Sequence, residues 1–196
     1  MQKTKATTTR WIVESAIMLA IATVLSELTF SGPWALGGGI TFCSMLPIIL
    51  ISFRFGCKRG LITGVAFSLL QLLLGLHNVQ YANSAVMAAG IVLFDYIVPF
   101  SVLGLSGLFR NVTKAPKVNI VIGIAVTLCV RFLCHFATGI WIWEALWPNE
   151  LGWAAPIWSL AYNGSYMLPE LIITAIVAVL LYSSPLKKYF DGADLK

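Results

Sequence analysis

Arg131 and His135 lie four residues apart inside a long apolar run, VRFLCHFATGIWIW at residues 130–143. Gly139 and Trp143 continue the spacing of four, so these residues share one face of a helix. Ionisable groups inside a bilayer are costly and usually face a partner or a cavity. The stretch therefore predicts either a buried ion pair or a polar ligand site.

Other polar residues are expected at a similar depth. Asp95, in LFDYIVPF, falls near the middle of its own apolar run, and PIWSLAYNGSYMLPE carries further polar groups. At a rise of about 1.5 Å per residue, His135 lies roughly 12 Å below Trp143. An ion pair between Asp95 and Arg131 could merely fix two helices. The surrounding side chains exceed what one ion pair needs and favour a cavity: His135, Tyr96, Tyr162 and Asn163.

The tryptophans are distributed unevenly. Six of the seven fall toward one end of the predicted bundle, and only Trp11 marks the other; the six are Trp34, Trp141, Trp143, Trp147, Trp153 and Trp158. An interfacial aromatic belt would normally occupy both faces of a membrane protein. The crowding in WIWEALWPNELGW favours a lid over a pocket, where indole rings can hold a flat or cationic ligand.

The elements that must position these residues are membrane helices. The chain has 196 residues, 59% hydrophobic and 11% charged, with a mean hydropathy of +0.86. These values exclude an ordinary soluble domain. The apolar runs predict an all-α bundle of six helices in a single transmembrane domain covering residues 1–196, at about 12–30, 40–53, 60–76, 85–108, 118–142 and 157–182.

The basic residues predict the orientation of the bundle. Twelve of the thirteen occupy the two termini and two alternate connections, namely Lys3, Lys5, Arg10, Arg54, Lys58, Arg59, Arg110, Lys114, Lys117, Lys187, Lys188 and Lys196. The connections near residues 28–40, 77–84 and 144–156 contain none. Because Lys and Arg collect on the cytoplasmic side, both termini are expected there. The net charge of +5 then reflects topology and not nucleic-acid binding.

An intramembrane enzyme is the distant alternative. GLSG at residues 104–107 matches the G-x-S-G around the serine of rhomboid proteases, and Ser106 with His135 would form the dyad. The estimated gap along the bundle axis is well over 10 Å, so GLSG is interpreted as helix packing. The four cysteines lack C-x-x-C pairs, and no nucleotide-binding loop is present. We expect no enzyme activity and no cofactor or metal.

Four motifs together resemble one family over nearly the whole chain: LPIILISFRFG at 46–56, DYIVPF at 95–100, RFLCHFATGIWIW at 131–143 and SLAYNGSYM at 159–167. The sequence resembles the thiamine-specific S components of energy-coupling factor (ECF) transporters. That resemblance implies a six-helix protein of the bacterial plasma membrane that captures thiamine from outside. Its implied partners are a transmembrane coupling subunit and two ATPase subunits.

The resemblance also implies a set of ligand-binding residues. The family's acidic residue and tyrosine on helix four fall on Asp95 and Tyr96. Its basic residue and histidine on helix five fall on Arg131 and His135. Its later aromatic and amide residues fall on Trp143, Trp158 and Asn163, and a tryptophan of the first outer loop corresponds to Trp34. We expect Asp95 to balance the thiazolium charge and Arg131 to orient Asp95. Trp143 and Trp158 would sandwich a ring.

Helix one is expected to carry the docking face. Ala16 and Ala20, in AIMLA, match the small residues that the family uses to contact its coupling subunit. An A-x-x-x-A pair allows close approach of two helices. An S component for another flat vitamin or pyrimidine precursor stays open, because an aromatic cage with one carboxylate does not specify a single ligand.

Overall fold

A computed structural model of the chain describes residues 2–33, 36–192 and 195. Within these residues the long helices, numbered here in chain order, are α1 (Gln2–Glu27), α2 (Leu46–Phe55), α3 (Cys57–Leu74), α4 (Ala85–Phe109), α5 (Pro116–Leu146) and α6 (Ala155–Tyr182). Short helices occur at Leu76–Val79 and Lys187–Asp191. Two short strands, β1 (Thr29–Phe30) and β2 (Ile40–Thr41), pair antiparallel. The helical bundle is as predicted, but this hairpin corrects the purely α-helical expectation.

Helix α2 differs from the other five long helices. In the described part of the chain, α1 and α3–α6 are long and apolar enough to cross a membrane. Helix α2 has ten residues, about 15 Å at the usual rise, which is half of a hydrocarbon core of about 30 Å. All its residues from Leu46 to Arg54 are buried. The chain is thus a multi-pass membrane protein with five candidate spans around a short buried helix, whereas six spans were expected. The cytoplasmic position of both termini remains a prediction.

The hairpin explains two shifts in helix bounds, at the end of α1 and at the start of α2. The first helix was predicted to reach residue 30 and the second to begin at residue 40, but those positions form β1 and β2. Helix α2 begins only at Leu46, with Pro47 in its first turn, where the missing N–H of proline costs no hydrogen bond.

Helices α4 and α5 are irregular where the polar residues lie. Residues Val92–Ile97 of α4 and Gly139–Trp143 of α5 form π-helical turns, and α4 ends as a 3₁₀ helix at Val102–Phe109. Pro99 lacks the N–H that would bond the Asp95 carbonyl in a regular α-helix. Such π turns re-aim side chains and occur often at functional sites.

The GLSG stretch packs tightly against α2 and α3. Ser52 Oγ donates to the Gly104 carbonyl at 2.5 Å, and a Cβ added to Gly60 would lie 2.4 Å from that oxygen. Ser106 is buried, and its Oγ has no hydrogen-bond partner among the described residues. The Ser106–His135 dyad is therefore not formed, and the stretch serves close helix packing.

Candidate ligand-binding site

A cavity of about 520 Å³ lies between α4, α5 and α6. Its lining includes six of the eight ligand-binding residues predicted from the sequence: Asp95, Tyr96, His135, Trp143, Trp158 and Asn163. Trp34 lies outside the described residues. The volume falls within the roughly 300 to 1,000 Å³ of small-molecule sites.

Asp95 is the central polar group of the cavity. Its Oδ1 accepts hydrogen bonds from Thr138 Oγ1 at 2.5 Å and His135 Nδ1 at 3.1 Å. Its Oδ2 accepts from Trp143 Nε1 at 2.9 Å. All three donors come from α5, so the two π turns are joined through one buried carboxylate. Because a carboxylate has about four acceptor positions, Asp95 retains capacity for a ligand donor or cation.

One ring nitrogen of His135 is hydrogen-bonded within the protein, and the other has no hydrogen-bond partner among the described residues. Nδ1 bonds Asp95, whereas Nε2 is buried without a partner among the described residues. An ionised carboxylate only accepts, so Nδ1 donates and Nε2 of the neutral ring is an acceptor. A buried acceptor left unpaired costs about 1 to 3 kcal/mol. A donor on a bound ligand would remove that cost.

Tyr96 and Asn163 are held by the protein at the cavity wall. Tyr96 Oη donates to the Gly75 carbonyl at 2.9 Å and accepts from Asn78 Nδ2 at 2.7 Å. Asn163 Nδ2 donates to the Ser159 carbonyl at 3.0 Å, and its Oδ1 accepts from Tyr166 Oη at 2.8 Å. These bonds fix the orientation of both side chains. The hydrogen-bonding positions that remain on Tyr96 and Asn163 therefore have a defined direction before a ligand binds.

Aromatic rings form two walls on different helices. Trp143 of α5 and Trp147, which directly follows α5, stack with centroids 5.7 Å apart and planes 11° apart. On α6, the Trp158 and Tyr162 centroids are 5.8 Å apart, and Tyr162 continues to Tyr166 at 6.0 Å. These residues all line the cavity. The walls can stack on a flat ring and attract a cation through their π faces.

Gly37 and Gly38, in the connection between α1 and α2, lie against α6 beside the cavity. A Cβ added to Gly37 would lie 2.2 Å from Tyr162, and one added to Gly38 would lie 2.6 Å from Tyr166. Both glycines have positive φ, +147° and +71°, a region that other residues rarely adopt. The Gly-rich stretch thus allows the backbone to approach Tyr162 and Tyr166 closely.

Arg131 is not among the lining residues, and its partner is Glu170. Its Nη1 lies 3.1 Å from Glu170 Oε2 and its guanidinium stacks 4.9 Å from the Phe100 centroid. Glu170 also accepts from Thr41 Oγ1 of β2. The expectation that Arg131 orients Asp95 is therefore corrected, because Arg131 pairs with Glu170 and the hydrogen bonds that orient Asp95 come from other residues of α5. Arg131 instead joins α5 to α6 behind the cavity.

Several lining residues were not predicted from the sequence. Thr138, one turn from His135, donates to Asp95, and its position on the same helix face could have indicated it. Glu144 follows Trp143 and borders the cavity, although a carboxylate near a helix end resembles an ordinary solvated residue. Other unpredicted lining groups are Asn78, Phe100, Ser159 and Tyr166.

The charge of the cavity is negative. Asp95 and Glu144 are its acidic residues, and no Lys or Arg occurs among the described residues that line it. The described residues also contain no group of three His, Cys, Asp or Glu that could hold a metal. The arrangement suits a flat organic cation with polar edges.

Comparison with known proteins identifies the family. The model of the thiamine transporter protein family (Thia_YuaJ) matches residues 12–189. The thiamine transporter ThiT of Bacillus subtilis (strain 168) is 36% identical over 185 residues, covering 87% of this chain and 89% of the relative. The solved structure of ThiT from Listeria monocytogenes superposes with a TM-score of 0.74 at 24% identity, covering 94% of this chain and 98% of the other, and supports the same fold. The chain belongs to the thiamine transporter protein family.

Proposed function

We propose that this protein captures thiamine in the cavity between α4, α5 and α6, as the substrate-binding S component of an ECF transporter. Family membership supports the substrate. The observation that carries the assignment is the buried Asp95 carboxylate, bonded to His135, Thr138 and Trp143 and flanked by aromatic walls. No covalent step is involved.

Thiamine has the complementary chemistry. It joins an aminopyrimidine to a permanently cationic thiazolium ring. Asp95 supplies the compensating negative charge, and Trp143 and Trp158 stack on the rings. His135 Nε2 accepts a hydrogen bond from the ligand, and Tyr96 and Asn163 contact its polar edges. Arg131 has its charge balanced by Glu170, so it does not repel the cation.

If transport uses ATP, another subunit must hydrolyse it, because the sequence has no nucleotide-binding loop. A transmembrane coupling subunit and two ATPase subunits fill this role in the proposal. Ala16 and Ala20 are exposed on α1 and offer a flat face for a helix of the coupling subunit. In lipid, helices associate through close packing of such small residues.

A ligand screen by tryptophan fluorescence tests the proposed substrate. Purified protein in detergent is titrated with thiamine, riboflavin and biotin. Because Trp143, Trp147 and Trp158 line the cavity, thiamine should quench fluorescence at nanomolar concentration while the other two vitamins leave it unchanged. Quenching by another flat vitamin without a response to thiamine would instead support the alternative S-component assignment.

A further inference from the structure

Glu144 is a second carboxylate at the cavity, and its side chain is held by its own hydrogen bonds. It lies at the outer end of α5, one residue beyond Trp143. Its Oε1 accepts from Asn149 Nδ2 at 2.8 Å and from Asn149 N at 3.2 Å. Asn149 is in turn bonded to the backbone N–H and carbonyl of Trp153. The carboxylate is thus fixed by the connection that leads to α6.

The other carboxylate oxygen of Glu144 receives no hydrogen bond from the described residues. Oε2 is buried and has no hydrogen-bond partner among the described residues. Asp95 receives three hydrogen bonds from α5, whereas the hydrogen bonds to Glu144 come from Asn149 alone. Leaving a buried charged acceptor unpaired is unfavourable, so a donor supplied by a ligand would be favoured here. The described lining residues contain no Lys or Arg that could neutralise an anion.

We infer that Glu144 is a specificity-determining residue, and this inference rests on the proposed function. Its carboxylate accepts a hydrogen bond from the hydroxyl group at the end of the thiazolium side chain. When that hydroxyl is esterified with phosphate, the ligand loses its donor and gains negative charge next to Glu144. Like charges in such a contact strongly disfavour binding. Glu144 therefore selects free thiamine against its phosphate esters.

The variant Glu144→Gln tests this role. Glutamine keeps the size and the carbonyl oxygen that accepts from Asn149 but removes the charge. Titrations with thiamine and thiamine monophosphate give the ratio of the two dissociation constants. The preference for thiamine should fall by about tenfold or more, because the like-charge repulsion is lost. Glu150→Gln, which removes an exposed carboxylate of the same connection, should keep the wild-type ratio.

Measurements on the wild type keep the inference testable if the variant does not fold. Thiamine should bind more tightly than both the monophosphate and an analogue whose side chain ends in a methyl group in place of the hydroxyl. An unchanged ratio in Glu144→Gln, or a wild type that binds all three ligands equally, would overturn the role of Glu144. Those results leave the proposed function intact, since only a failure of thiamine itself to bind refutes it.

Discussion

At the residue scale, Asp95 has two effects at once. It places negative charge in the cavity, and it orients the groups expected to contact the ligand. The bond from Trp143 Nε1 to Asp95 Oδ2 fixes the indole plane, and the bond from His135 Nδ1 leaves Nε2 as an acceptor. In the proposed function, recognition of the cation and positioning of Trp143 therefore depend on the same carboxylate.

Trp143→Ala removes one of these oriented groups. The loss of stacking and cation–π attraction should cost about 1 to 2 kcal/mol of thiamine binding, roughly a 5- to 30-fold weaker affinity. Calorimetric titration measures it. Trp141→Ala is the matched control, because Trp141 is 74% exposed and does not line the cavity. Equal affinities for the two variants would exclude Trp143 from the binding site.

Arg131 illustrates a residue whose partner the sequence did not reveal. Its depth near His135 follows from the helical rise, but the choice between Asp95 and Glu170 depends on how each helix is rotated about its axis. The π turns of α4 and α5 shift that rotation locally. The burial of Arg131 could therefore be predicted, whereas its pairing with Glu170 required the structure.

Arg131→Met should act mainly on stability. It leaves Glu170, which is 1% exposed, as an unpaired buried charge, at a cost of about 3 to 5 kcal/mol. The thermal unfolding midpoint in detergent should fall markedly. The double variant Arg131→Met with Glu170→Gln should recover part of the loss because no buried charge remains. A single variant as stable as the wild type would show that the ion pair does not hold α5 to α6.

At the element scale, Gly139 sets the distance between α5 and α6 beside the cavity. A Cβ at this position would lie 2.2 Å from Ser159 Oγ and 3.4 Å from Asn163 Nδ2. Gly139 also begins the π turn that carries Trp143. The sequence placed Gly139 on the same face as His135 but gave no sign of how closely Ser159 approaches.

Gly139→Ala should separate the two helices. Overpacking of this kind costs about 1 to 3 kcal/mol, and the displaced Ser159 and Asn163 should weaken thiamine binding as well. Gly164→Ala is the control on α6, since a Cβ there meets nothing within 4 Å and alanine favours a helix. Unfolding midpoints and thiamine titrations of both variants check this. If Gly139→Ala matches Gly164→Ala in both assays, the contact is not tight in solution.

At the scale of the whole molecule, composition was enough to predict a helical membrane bundle, but not the role of α2. Its apolar run resembles a membrane span, yet nine of its ten residues are buried within the bundle. Periodicity cannot distinguish a short buried helix from a short span, because both lack a polar face. The hairpin of β1 and β2 was missed because strands of two residues carry no alternating pattern.

Substitutions on the exposed face of α1 distinguish thiamine transport from thiamine binding. Ala16→Trp with Ala20→Trp should block association with the coupling subunit and abolish thiamine uptake, because bulky side chains prevent close helix approach. Thiamine binding by the isolated protein should stay near normal, since α4–α6 form the cavity. Leu180→Trp, at a position 63% exposed on α6, should preserve uptake. Normal uptake in the double variant would place the docking face elsewhere.

The thiamine affinity of Asp95→Asn tests the central claim most directly. Asparagine keeps the size of the side chain and removes its charge, and Glu27→Gln removes an exposed charge at the end of α1 as a control. In calorimetric titration, wild type and control should bind thiamine with nanomolar affinity. Asp95→Asn should lose more than about 2 kcal/mol, or roughly 30-fold. Unchanged affinity in Asp95→Asn would contradict the claim that this buried carboxylate holds the cation.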